Sequence, residues 1–141
     1  MFHRLFRLSI ALILLGCACT SRPKATLDTS AAVIIWQRTG GIAGICQQLS
    51  IFGDRRYEIE DCAGGKNLAA GELPEAEWVE LRNYLVEFSA FEYTLVPPEG
   101  SADMFTDSYT FFGGGPKTPS EDTKVKINEF LASLVTQLIT A

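Results

Sequence analysis

The segment Cys46-Gln47-Gln48-Leu49-Ser50-Ile51-Phe52-Gly53-Asp54-Arg55-Arg56-Tyr57-Glu58-Ile59-Glu60-Asp61-Cys62 decides the fold. Apolar and polar residues alternate on both sides of Gly53-Asp54-Arg55, the pattern of two strands joined by a three-residue hairpin loop. In that register the numbers of cross-strand partners sum to 108, so Leu49 faces Ile59 and Ile51 faces Tyr57 on one side of the ladder. The other side takes Gln48 with Glu60, Ser50 with Glu58 and Phe52 with Arg56. A clean separation of this kind is what an antiparallel pair buried on one face requires. The same register sets Cys46 opposite Cys62, and in an exported chain a disulfide is expected there if the pair falls in a close-approach site. The alternative, two reduced cysteines packed as small hydrophobes, is disfavoured by export. Two thiolates without a histidine make an incomplete zinc site.

Upstream, Ala32-Val33-Ile34-Ile35-Trp36 is β-branched and aromatic and reads as the first strand. Between it and the hairpin lies Arg38-Thr39-Gly40-Gly41-Ile42-Ala43-Gly44, with three glycines in five residues. Glycine accepts positive φ and lets a backbone approach another surface, so this loop is either a plain turn or a presentation device. It fails as a dinucleotide fingerprint, because a hairpin follows where a helix is required. Residues 18–30 are small, polar and mixed in charge, the composition of a flexible tether. Ahead of them, Arg4 and Arg7 precede an apolar run, Leu8 to Leu15, broken only by Ser9, and Met1 to Gly16 reads as a signal peptide.

The end of that leader, Leu14-Leu15-Gly16-Cys17, resembles the lipobox of bacterial lipoproteins. The resemblance implies a mature chain beginning at Cys17, lipidated with palmitate-type acyl chains as a membrane anchor. Ala18 stands where aspartate would signal inner-membrane retention, so the expected location is the bacterial cell envelope, at the outer membrane where one exists. Cys19 has no obvious partner; a second lipidation site, a free thiol and an intermolecular bridge stay open.

Downstream, Gly64-Gly65-Lys66-Asn67 reads as a turn and Leu68 to Gly71 as a short edge strand. Pro74-Glu75-Ala76-Glu77 opens a helix whose Trp78, Leu81, Leu85 and Phe88 share one face. Phe91 to Val96 and Phe105 to Phe112 read as strands, the latter with Phe105, Tyr109 and Phe111 inward. Thr118-Pro119-Ser120-Glu121 has the form of a capping box with proline at the first helical position. Ile127, Phe130, Leu131, Leu134, Val135 and Leu138 then keep helical period. The expected fold is α+β: one domain over residues 32–141, with an antiparallel sheet of about four strands and two amphipathic helices packed on it.

Charge and composition narrow the function. The 141 residues carry a formal net charge of −5, and removal of the leader takes away Arg4 and Arg7, leaving 10 basic residues against 17 acidic. An acidic domain repels nucleic acid, so no nucleic-acid partner is expected. The same cleavage removes His3, the one histidine, and with it Ser-His-Asp and Cys-His catalysis and histidine-containing zinc sites. The chain reads as a non-enzyme without cofactor or metal. Glu99, Asp103 and Asp107 lack the order of a calcium loop and give no sign of a glycosidase pair, and they read as solvated loop charges. Arg55 and Arg56 read as a solvated turn. Gly113-Gly114-Gly115-Pro116-Lys117-Thr118 lacks Walker spacing, and Pro116 removes an amide that a phosphate would need, so it reads as a turn.

The loop Arg38-Thr39-Gly40-Gly41-Ile42-Ala43-Gly44 after a first strand resembles the Arg-Ser-Gly-Gly-Phe-Ala-Gly type signature of emfourin-like proteins, small protein inhibitors of thermolysin-like metalloproteases. Further likenesses are the Leu73-Pro74 helix start, the Phe88 to Phe91 helix exit, Asp103-Met104-Phe105 leading into Tyr109-Thr110-Phe111, and a leucine-rich C-terminal helix. Together they span Val33 to Leu138. The disulfide-ready hairpin, the lipid anchor and Gly113 to Lys117 in place of a last strand depart from that pattern. The resemblance implies an envelope-tethered inhibitor that contacts an exported metalloprotease through residues 38–44, with Ile42 as an apolar side chain for a pocket. Arg38 would either orient the loop or pair with an acidic partner. A non-inhibitory structural or interaction lipoprotein, bound to another envelope protein, is the alternative expectation.

Overall fold

Each of the strand-like stretches finds a ladder partner. A computed structural model describes residues 30–98 and 104–141. The leader, Cys17, Cys19, nearly all of the tether, and Glu99 and Asp103 lie outside the described residues. The elements in chain order are β1 (Ala32–Gly40), β2 (Ile45–Phe52), β3 (Arg56–Asp61), β4 (Lys66–Glu72), α1 (Glu75–Glu87), β5 (Ser89–Leu95), β6 (Phe105–Gly114) and α2 (Glu121–Thr140). The fold is α+β with a single antiparallel sheet in the order β4-β3-β2-β1-β6-β5. Six strands replace the four expected. All six lie at stretches read as strand-like, and the sheet joins every one of them, with β4 and β5 at its two edges on a single ladder each; β4 begins at Lys66, inside the stretch read as a turn, because an edge strand needs no apolar run.

The β2–β3 hairpin has the register read from the sequence, with Leu49 opposite Ile59, Ile51 opposite Tyr57, Gln48 opposite Glu60 and Ser50 opposite Glu58. Its loop closes through the Arg55 N–H donating to the Phe52 carbonyl at 3.1 Å. Arg55 adopts φ 78°, the left-handed residue that a three-residue hairpin loop requires. Cys46 and Cys62 are joined by a disulfide with Cα atoms 5.2 Å apart. The Cys62 N–H donates to the Cys46 carbonyl at 3.1 Å, so the bridge forms across the wider, hydrogen-bonded kind of pair, and the close-approach site set as its condition is not needed.

Alternation along the strands sorts the sheet into two faces. Ile34, Trp36, Leu49, Ile51, Tyr57, Ile59, Tyr109 and Phe111 point to the covered face and join Leu81, Leu85, Ile127, Leu131, Leu134 and Val135 of the helices in one core. Phe91 and Tyr93 pack against it from β5. The uncovered face carries Gln37, Gln48, Ser50, Glu58, Ser108 and Thr110, together with the disulfide.

Helix ends explain the remaining connections. Pro74 is the N-cap of α1 and not its first helical residue. In α2 the capping residue is Ser120, whose hydroxyl accepts from the Thr123 N–H at 3.2 Å, two positions later than the box read from Thr118. Pro119 therefore precedes the cap, with Glu121 and Asp122 in the first turn at the positive end of the helix dipole. The stretch after β6 is no free turn. Gly115 N–H donates to the Phe88 carbonyl at 2.9 Å, Lys117 N–H to Glu87 at 3.2 Å, and Ser89 N–H to the Lys117 carbonyl at 2.8 Å. Those amides are consumed in a clip onto the end of α1 and are not presented to an anion.

Candidate functional site

The glycine-rich segment is the tip of the β1–β2 hairpin. Gly40 pairs with Ile45, and residues 41–44 form the turn, closed by the Gly44 N–H donating to the Gly41 carbonyl at 3.0 Å. Gly40 and Gly41 have φ of 115° and 71°, a region that side chains with a Cβ rarely adopt. Space forbids a side chain there as well. A Cβ on Gly40 would lie 2.9 Å from the Met104 carbonyl oxygen, and one on Gly41 would lie 2.8 Å from Cε1 of Phe105. The Gly41 N–H donates to that same Met104 carbonyl at 3.3 Å. The tip is thus pressed against the start of β6, and its glycines have a structural reason to be present. Ile42, by contrast, stands 85% exposed, and Ala43 and Gly44 are exposed beside it.

Arg38 orients the base of this hairpin from within. The β1–β6 register sets it opposite Asp107. Its Nε and one terminal nitrogen donate to the two Asp107 carboxylate oxygens, both at 2.7 Å, in the bidentate geometry that suits guanidinium and carboxylate. The Asn128 amide on α2 donates to Asp107 Oδ2 at 3.0 Å and accepts from the Trp36 indole at 2.9 Å. The guanidinium also lies 5.2 Å from the ring centroids of both Trp36 and Phe105, a cation between two aromatic faces. The bonds to Asp107 raise the Arg38 pKa above its ordinary value, against a smaller opposing effect of burial. Of the two roles expected for Arg38, its carboxylate partner lies inside this chain.

Asp107 corrects the sequence reading most. It is 4% exposed and ion-paired, and is no solvated loop charge. Asn128 and Trp36 escaped the reading as a polar cluster, although Asn128 sits between Ile127 and Leu131 on a buried helical face, where a polar group needs a partner. Thr39, between Arg38 and Gly40, pairs with Cys46 on one side and Thr106 on the other.

The other singled-out residues are held locally. Gln37 donates toward the disulfide, its Nε2 lying 3.4 Å from Cys62 Sγ and 3.8 Å from Cys46 Sγ. Arg55 pairs with Glu72 at 2.9 Å and with Glu75, and Arg56 pairs with Asp54 at 2.8 Å while its guanidinium lies 4.6 Å from the Phe52 ring centroid. Among the described residues, no three His, Cys, Asp or Glu side chains converge as a metal site. No helix among them is long and apolar enough to cross a membrane. Compared with known proteins, the chain matches no family model, no curated protein and no solved structure.

Proposed function

We propose that the chain is an envelope-tethered protein inhibitor of thermolysin-like metalloproteases, presented on a lipid anchor at Cys17 and binding through the tip of the β1–β2 hairpin. The observation that carries this reading is Ile42, 85% exposed on a turn whose backbone is held against β6 by its neighbours. A rigid tip loses little conformational entropy on entering a cleft, which is how preorganised loops gain affinity. The resemblance of residues 38–44 to the emfourin-like signature supplies the class of target. The test is titration of a thermolysin-like protease with the full chain in mild detergent, following cleavage of a peptide substrate. The parent is expected to inhibit without being consumed and Ile42→Asp to weaken inhibition. Gly41→Trp weakens it further by straining the turn and displacing Phe105. Absence of inhibition at micromolar concentration across several such enzymes overturns the reading.

A second reading, a non-inhibitory interaction lipoprotein, is favoured by one observation: Gly40 and Gly41 are already required by their packing on Met104 and Phe105, so the signature needs no target to account for it. It predicts an envelope partner recovered by crosslinking and indifference of that contact to Gly41→Trp.

A further inference from the structure

We propose that the uncovered face of the sheet binds a linear glycan that carries free amino groups, laid across the strands. This site is separate from the β1–β2 tip, and it stands or falls independently of the inhibitor reading.

The ladder registers line up one hydrogen-bonding side chain from every strand. Thr94 faces Ser108, Ser108 faces Gln37, Gln37 faces Gln48, Gln48 faces Glu60, and Glu60 faces Asn67. Across six strands with a spacing of about 4.8 Å, the row is about 24 Å long. One step along the strands, Glu92, Thr110, Ile35 and Ser50 form a second row beside it. Both helices pack on the opposite face. A trough of about 250 Å3 lies where the two rows cross β5, β6 and β1.

These side chains have hydrogen-bonding capacity to spare. Gln48, Ser50, Ser108 and Thr110 are half-buried, yet among the described residues their side chains have no hydrogen-bond partner in the protein. Gln37 turns its Nε2 toward the disulfide, which leaves its Oε1 to accept from a ligand. Hydroxyls and amides donate and accept at one site, as the hydroxyls of a sugar do. Ile35 and the 45% exposed Phe112 offer the C–H faces of sugar rings an apolar rest.

Charge selects among polymers. Glu92 and Glu60, on β5 and β3, are in no ion pair among the described residues. They stand on either side of an uncharged centre, where ammonium groups on one glycan chain can reach both. The same carboxylates repel acidic glycans, nucleic acid and anionic lipid. A protein partner fits less well, because the centre of a protein interface is rich in aromatic residues and poor in serine.

The experiment uses the full chain, isotopically labelled, in zwitterionic detergent. The probes are glucosamine hexamer, cellohexaose, galacturonic acid hexamer and hexalysine. Amide resonances of β1, β2 and β6 at Gln37, Gln48 and Ser108 are expected to shift with glucosamine hexamer, while those of α1 and α2 stay in place. The double variant Glu60→Gln/Glu92→Gln raises the Kd for glucosamine hexamer about fivefold or more, to that of cellohexaose. Gln48→Ala weakens both sugars about fivefold, and Glu129→Gln on α2 stays within about twofold of the parent. Thermal unfolding of each variant within a few degrees of the parent establishes that the fold is kept. No shift at millimolar glucosamine hexamer, or shifts confined to the tip or the helices, overturns the inference. Equal binding of hexalysine with no effect of Gln48→Ala reduces the site to bare charge and overturns it too. Binding of galacturonic acid hexamer as tight as that of glucosamine hexamer does the same.

Discussion

Replacing Asp107 by asparagine keeps the side-chain shape and removes the charge from the most buried ion pair among the described residues. The Asp107 carboxylate accepts three N–H bonds, two from Arg38 and one from Asn128, and its side chain is 5% exposed. Removing one partner of a fully buried pair costs about 3–5 kcal/mol, because the other charge is left uncompensated. Arg38 keeps a side-chain exposure of 25% and recovers part of its hydration, which places the cost near the lower end, about 3 kcal/mol. With about 2 cal/mol/K of unfolding entropy per residue over about 110 residues, that loss lowers Tm by about 13 °C. Calorimetry and urea titration of Asp107→Asn measure it directly. A cycle of Arg38→Met, Asp107→Leu and their double then isolates the pair, since the double variant replaces both charges by apolar groups and regains most of the loss. A loss below about 1 kcal/mol for Asp107→Asn, or additive effects in the cycle, refutes the assignment of this pair as the anchor of the hairpin base.

The disulfide, which closes a separation of 16 residues, contributes about 3 kcal/mol in the chain-entropy model, so Cys46→Ser/Cys62→Ser and reduction with dithiothreitol lower the urea midpoint alike. Gly115→Ala costs more than about 2 kcal/mol, because its Cβ would lie 2.2 Å from the Glu87 carbonyl carbon, whereas Gly114→Ala meets nothing within 4 Å and is tolerated; denaturation of the two variants side by side distinguishes them. Tyr109 donates to the Lys124 carbonyl at 2.9 Å, and burial raises its pKa. The fold favours the neutral phenol, so this contribution to stability is constant below about pH 10 and declines as pH rises beyond it. Tyr109→Phe costs about 1 kcal/mol at neutral pH and flattens the alkaline decline, seen by comparing urea midpoints near pH 7 and pH 11.

What the sequence reveals follows the distance over which each feature is specified. The β2–β3 register is legible because Gly53-Asp54-Arg55 fixes the loop and alternating residues leave one way to bury a face. The helical faces are legible from period, and Leu81, Leu85, Ile127 and Leu131 are buried as that period requires. The extent of an edge strand is less legible: β4 begins at Lys66, inside the stretch read as a turn, because it needs no apolar run to hold its single ladder. The β1–β6 pairing has no local signal. It brings Arg38 to a carboxylate 69 positions away, so Asp107 looks like a loop charge until the sheet is assembled. Phe105 is legible as an aromatic on a strand, yet its service as the floor beneath Gly41 depends on that same pairing.

The position of β1 has a consequence for how the chain comes to be folded. Among the described strands it emerges first during synthesis, yet it ends in the middle of the sheet. One of its edges zips early with β2 in a local hairpin, and β3 and β4 follow as a meander of short-range contacts. Its other edge, which carries Ile34, Ile35 and Trp36, waits for Tyr109 to Phe111. During that interval an apolar strand offers unpaired amides and carbonyls to any passing chain. Closure by β6 is a loop-entropy-limited step, and it seals a seam at which two nascent copies would otherwise exchange strands. A chain cut anywhere before Phe105 keeps that seam open and is destined for intermolecular pairing.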